Sequence, residues 1–191
     1  MRNIILASTS ARRKALLEQI GLVFKIDAGV REESAVTGQI PEEIVREISL
    51  KKAQSVADKY PDALIIAADT IGVIAGRIIG KPHSEQEAKE ILSLLSGKAH
   101  SVITGFTVLD TATNKSVSKT VATTVYFKNL TKSEIEEYIK TGEPLDKAGA
   151  YAIQGKGALF VEKIDGDYFN VVGLPLGALA EVLKEFGVKV L

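Results

Sequence analysis

The sequence predicts an α/β fold with a mixed sheet, on three observations. Short apolar, β-type runs alternate with amphipathic helical stretches along most of the 191 residues. Two long strand-like segments, His100 to Leu109 and Ser116 to Phe127, flank a polar turn and read as an antiparallel pair. The 46% apolar content is ordinary for a globular protein, and a chain of this length buries roughly 70% of its unfolded surface.

The elements follow in order. Ile4 to Ala7 reads as a buried strand; Ser10 then caps a helix to about Ile20, stopped by Gly21. Val23 to Ala28 reads as a second strand. Pro41 opens a longer helix to about Tyr60, with Glu42 and Glu43 in its first turn, where acids complement the dipole. Leu64 to Ala68 is a continuous apolar run ending in Asp69-Thr70, and Ile71 to Ile79 looks like a hairpin. Ser84 to Leu95 is helical and ends at Gly97. Thr131 with Glu134 forms a capping box for a helix ending at Gly142. A Leu159 to Ile164 strand, a glycine-rich turn and a Pro175 to Phe186 helix complete the chain. There is no internal repeat or low-complexity linker; the segment 71–127 is the most strand-rich and reads as a lobe of its own.

Charge and composition narrow the function. The 24 Lys and Arg balance 24 Asp and Glu, which excludes the basic footprint of a general nucleic-acid binder and a polybasic membrane anchor. Zero cysteines remove disulfides, thiolate nucleophiles and Cys-ligated metals, and fit a reducing compartment. Four apolar residues after Asn3 are too short for a signal-peptide core, and no window approaches the roughly 18 apolar residues of a spanning helix. A cytoplasmic protein is expected.

Several polar residues stand where the patterns want apolar ones. Lys52 follows Ile44 and Ile48 at four-residue spacing, with Val56 next, so it must either snorkel outward or meet an anion. Arg13 leans toward the Leu16-Leu17 face, and with Arg12, Ser8 and Ser10 it surrounds a helix N-terminus. That grouping is either a capped surface helix or a phosphate site. Asp69 sits where a buried strand is expected to end, the place where open α/β sheets bind ligands. Glu32-Glu33-Ser34 and Gly80-Lys81-Pro82 are weak signals alone. Asp146 to Gly155 looks like a functional loop, with Gln154 offering a donor and an acceptor. No P-loop or dinucleotide fingerprint occurs, and His83 and His100 cannot make a His-rich metal site. Any metal site is carboxylate-based, which suits Mg²⁺ or Mn²⁺.

Taken together these motifs resemble the Maf family of nucleoside triphosphate pyrophosphatases over essentially the whole chain. The resemblance runs through Leu6-Ala7-Ser8-Thr9-Ser10-Ala11-Arg12-Arg13, Glu32-Glu33-Ser34, Lys52-Ala53, Ala68-Asp69-Thr70 and Gly80-Lys81-Pro82. It continues in Leu95-Ser96-Gly97, Asp146 to Gly155, Gly166 to Asn170 and Val172-Gly173-Leu174-Pro175. One departure is Ala11, where the family usually has proline; it removes no chemical group.

The resemblance implies a single domain over 1–191, with a long mixed sheet and flanking helices forming two lobes around a central cleft. Homodimers are common in the family. The Asp146 to Gly155 loop has the form of the branch acting on dTTP and UTP. Asp69 is then the proton acceptor and, with Glu33, holds a divalent cation. Lys52 and Lys81, with Arg12, Arg13, Ser8 and Ser10, would contact the phosphates, and Arg12, Thr70 and Gln154 would set base specificity. The family also admits two alternatives: house-cleaning of other non-standard nucleotides, and a nucleotide-binding regulator of septum formation.

Overall fold

The computed structural model describes residues 2–29 and 40–191. Its elements are β1 (Ile4–Leu6), α1 (Ala11–Gln19), β2 (Lys25–Ile26), α2 (Pro41–Ala57), β3 (Leu64–Ile74) and β4 (Arg77–Ile79). They continue with α3 (Glu85–Leu95), β5 (Ala99–Asp110), β6 (Ser116–Phe127), α4 (Lys132–Lys140), β7 (Val161–Asp165), α5 (Tyr168–Val172) and α6 (Leu176–Glu185). Among the described residues the strands form one seven-stranded sheet, ordered β2-β1-β3-β5-β6-β7 with β4 also on β3. β1 pairs in parallel with β2 and β3, whereas β3–β4 and β6–β7 are antiparallel, so the expected mixed α/β sheet is present.

The caps behave as the sequence predicts. Ser10 and Ser84 accept the N–H groups of Arg13 and Glu87, and Thr131 with Glu134 completes its capping box. Four boundaries differ. The second strand shrinks to Lys25–Ile26: Val23 is 73% exposed and no residue of the run is fully buried. Asp69 does not end a strand: β3 runs on from Leu64 to Ile74 and turns through Ala75 and Gly76, both at positive φ. The long helix stops at Ala57 rather than Tyr60. Residues 156–160 coil into a 3₁₀ turn, so the strand expected from Leu159 starts at Val161, and α5 follows where only a turn was expected.

The chain divides into two compact units. The first draws on residues up to Asp69, on Thr104–Val121 and on Gly173–Leu191; the second on Thr70–Ile103 and Ala122–Val172. In the first, Ile5, Ala53, Val56, Ile65 and Leu109 join one core. Burying each such large aliphatic side chain contributes about 1.5–3 kcal/mol. Here α2 lies hard against β5. A Cβ on Gly105 would stand 2.4 Å from the Val45 carbonyl carbon, and buried Ser49 shares a 2.7 Å hydrogen bond with Thr107. In the second unit, α3, α4 and β6 bury Leu92, Leu95, Val125, Ile135 and Ile139 with an aromatic group of Phe127, Tyr138, Tyr151 and Phe160. Asn170, fully buried, donates to Val102 O and Thr123 Oγ1 at 2.9 Å each and ties α5 to the strands.

Candidate active site

The first unit gathers six of the sequence-predicted residues. β1 delivers the chain to Ala7, whose N–H donates to Ile66 O at 2.8 Å, and Ser8 to Ser10 then lead into α1. Ser10 N–H donates to Ser8 Oγ at 3.2 Å, and Arg13 Nη1 donates to the same oxygen at 3.4 Å. Arg13 Nε donates to Gly173 O at 2.8 Å. Desolvation lowers the pKa of the Arg13 guanidinium; Asp69 raises it again, and the neighbouring Arg12 charge lowers it further. Two half-buried, like-charged arginines at a helix N-terminus are an anion-attracting arrangement.

The same unit resolves the Lys52 alternatives. Its ammonium meets an anion: Nζ lies 2.5 Å from Asp69 Oδ1, with a third of the lysine side chain and a fifth of the aspartate side chain exposed (33% and 21%). The contact follows from packing, since Ser49 and Ala53 on the buried face press α2 onto the sheet and leave Lys52 at the stripe's edge. Along β3, burial relaxes from complete at Ala68 to partial at Asp69 and Thr70, so the carboxylate reaches the surface from mid-strand.

The second unit carries Thr70, Lys81 and Gln154. Gly80 O, preceding Lys81, accepts Gly149 N–H at 3.0 Å, which ties the Gly80-Lys81-Pro82 turn to the Asp146 to Gly155 loop. Lys147 is paired with Asp146 in that loop. Gln154 is exposed, in a turn closed by Gly155 N–H on Ala152 O at 3.1 Å. Beneath it Tyr151 and His100 share a 3.0 Å hydrogen bond; burial pushes the tyrosine hydroxyl up and the imidazole down to about 4. Glu33 lies outside the described residues, as does the rest of Glu32-Glu33-Ser34.

The model of the family described as "Maf-like protein" matches residues 3–186. The chain belongs to the Maf-like family. It is 50% identical to the dTTP/UTP pyrophosphatase of Methanosarcina barkeri, covering 100% of this chain and 97% of that protein. It is 49% identical to the dTTP/UTP pyrophosphatase of Dictyoglomus turgidum, covering 100% and 99%, and 49% identical to that of Bacillus cereus, covering 100% and 98%. Among solved structures the Staphylococcus aureus Ham1 protein superposes with a TM-score of 0.55 at 13% identity, over 97% of this chain and 100% of that one, which is a likeness of fold.

In this Maf-like protein, three residues that hold a predicted position or the backbone beside one were not among the site residues expected from the sequence. Gly173 O anchors Arg13, and Tyr138 and Glu143 hold the backbone on either side of Gln154. Gly173 stood in a quoted motif, but a carbonyl acceptor leaves no side-chain signature. Glu143 lies just past the helix end expected at Gly142, between that glycine at φ +72° and Pro144, and belongs to no motif.

Proposed function

We propose that this Maf-like protein is a nucleoside triphosphate pyrophosphatase that converts dTTP and UTP to the monophosphate and pyrophosphate. Relatives so named, at about half identity over their full length, support the substrate class. The observation that carries the chemistry is the 2.5 Å Lys52–Asp69 pair in the same unit as the Ser8, Ser10 and Arg13 network. In this reading Asp69 takes a proton from water, whose oxygen bonds to the α-phosphorus. The α–β bond then breaks, and the bridging oxygen leaves with pyrophosphate. Lys52 orients the Asp69 carboxylate, while Arg12, Arg13 and Lys81 offset charge on the phosphate oxygens, with Ser8 and Ser10 donating hydrogen bonds. Arg12, Thr70 and Gln154 set base specificity in this reading; an amide pairs at once with a pyrimidine carbonyl and ring N–H.

The donor set fits a substrate-held cation. Among the described residues no three His, Cys, Asp or Glu side chains cluster. The carboxylates of Asp69 and Glu33 would hold the cation, and an all-oxygen donor set suits Mg²⁺ or Mn²⁺. When bound, the cation supplies charge neutralisation and orientation of the triphosphate. The homodimer and the cytoplasmic location belong to the same reading, the first open to size-exclusion chromatography.

The test is a panel of dTTP, UTP, modified pyrimidine and purine triphosphates with Mg²⁺ or Mn²⁺, scoring pyrophosphate against orthophosphate. Pyrophosphate from dTTP and UTP is expected; orthophosphate alone would overturn the reading. Asp69→Asn should abolish turnover with an unchanged circular dichroism spectrum, and an active variant would remove Asp69 as the base.

A further inference from the structure

The turn that presents Gln154 is gripped by two side chains from the end of α4 and the 3₁₀ turn after it. Tyr138 donates its hydroxyl to Glu143 Oε1 at 2.7 Å and accepts Ala152 N–H at 3.1 Å. Glu143 Oε1 also accepts Gly157 N–H at 3.0 Å, and its Oε2 accepts Lys156 N–H at 3.1 Å. Ala152 and Gly155 are the first and fourth residues of the turn. The pair therefore holds one amide at the turn's start and two just past its end, leaving Ile153 and Gln154 at the tip.

Two glycines make this grip possible. Gly155 has φ −131° and ψ −155°, extended backbone that any residue adopts, so its missing side chain is not a matter of dihedral freedom. A Cβ there would stand 2.4 Å from a Glu143 carboxylate oxygen, and one on Gly157 would stand 2.7 Å from the Tyr138 hydroxyl. The Gly155-Lys156-Gly157 run, which matches no nucleotide fingerprint, is thus explained by the Glu143 carboxylate packed against Gly155 and the Tyr138 hydroxyl and Ala152 backbone packed against Gly157. Burial alone would raise the Glu143 carboxyl, but the Gly157 amide, the Tyr138 hydroxyl and the Lys156 amide outweigh it and hold the group ionised.

We infer that Tyr138 and Glu143 are positioning residues for base discrimination: they fix the backbone on both sides of Gln154 and so set where its amide points. The inference rests on the reading of Gln154 as a base-recognising residue. An amide rejects a wrong base only when its orientation is held, because a mobile one re-pairs.

The experiment compares kcat and KM for dTTP and dGTP, with melting temperatures, in Tyr138→Phe, Glu143→Ala, Glu143→Gln, Gly155→Ala and Gln154→Ala. Loss of one or two hydrogen bonds should cut the dTTP-to-dGTP ratio of kcat/KM about tenfold, mainly through a higher KM for dTTP. Glu143→Gln, which keeps an acceptor oxygen, should recover part of that ratio. Gly155→Ala should reproduce Glu143→Ala, and the double variant should be no worse than either single one. If Gln154→Ala lowers the ratio and the Tyr138 and Glu143 variants keep it, the positioning role is overturned. If Gln154→Ala itself keeps the ratio, the reading of Gln154 falls instead. A uniform drop in kcat for both substrates with a lowered melting temperature would mark a merely structural role and also overturn the inference. Should the Glu143 variants fold poorly, amide exchange at Ala152 in the isosteric Tyr138→Phe, read with its dTTP-to-dGTP ratio, decides: faster exchange with a lowered ratio is expected, and an unchanged ratio would overturn it.

Discussion

Lys52 and Asp69 sit 2.5 Å apart yet both keep contact with water, a combination that separates their value for stability from their value for chemistry. A partly exposed pair contributes about 0–1 kcal/mol to folding. A charge that orients a reacting carboxylate is worth about a hundredfold or more in rate. Lys52→Met should therefore lower kcat by about two orders of magnitude or more while moving the melting temperature by no more than about 4 °C. A variant with near-normal kcat would show that the pair is structural. His100 is the converse case, 3% exposed and remote from solvent, with its imidazole held down to about 4 by burial. Unfolded, it takes up a proton near 6.5, so the unfolded chain binds more protons between those values. Stability is then full above about pH 6.5 and is lost as pH falls toward 4, by up to about 3 kcal/mol. Thermal melts across that range should fall less steeply for His100→Phe than for the parent, and coincident slopes would sink the assignment.

At the scale of elements, local rules account for much and contacts for the rest. Helix starts were legible because Ser10, Ser84 and Thr131 satisfy amide groups within three residues of themselves. The length of β3 was not. Asp69-Thr70 interrupts the apolar run and imitates a strand end, yet the backbone continues through it to the antiparallel register with β4. α5 was hidden for another reason: its five residues have weak helical pattern and are held by Asp167 Oδ1 on the Phe169 N–H at 2.7 Å and by the Asn170 side chain. The contact of α2 with β5 leaves no room for a side chain at Gly105, whose Cβ would fall 2.4–2.6 Å from Val45 and Arg46 backbone atoms. Backbone atoms cannot rotate aside, so Gly105→Ala should destabilise by about 3 kcal/mol or more in urea unfolding. A cost under about 1 kcal/mol would show that α2 shifts freely.

At the scale of the whole molecule, the charges cancel: 24 basic and 24 acidic residues, with a pI near 6.8. Binding to the phosphates of a duplex grows with the number of counterions released, which needs a surplus of cations on one face. Fluorescence anisotropy with a labelled DNA duplex at about 100 mM salt should show no saturable binding, and a salt-dependent isotherm would contradict this. The cations proposed to meet the phosphates are a local subset. Arg12, Arg13 and Lys52 belong to the unit that holds Asp69, and Lys81 to the unit that holds Gln154.

The sequence by itself determined the α/β class, the helix caps, the family and the residue types available for phosphate chemistry. Each depends on short-range pattern or on motifs that survive as strings of letters. Only the tertiary structure decided which groups meet: Lys52 with Asp69 across 17 residues, Arg13 with Gly173 across 160, and Glu143 with the amides beyond Gln154. The physical reason is range. A hydrogen bond demands placement within a few tenths of an ångström. Periodicity states which face of an element is buried, but the packing of distant segments sets what that face touches.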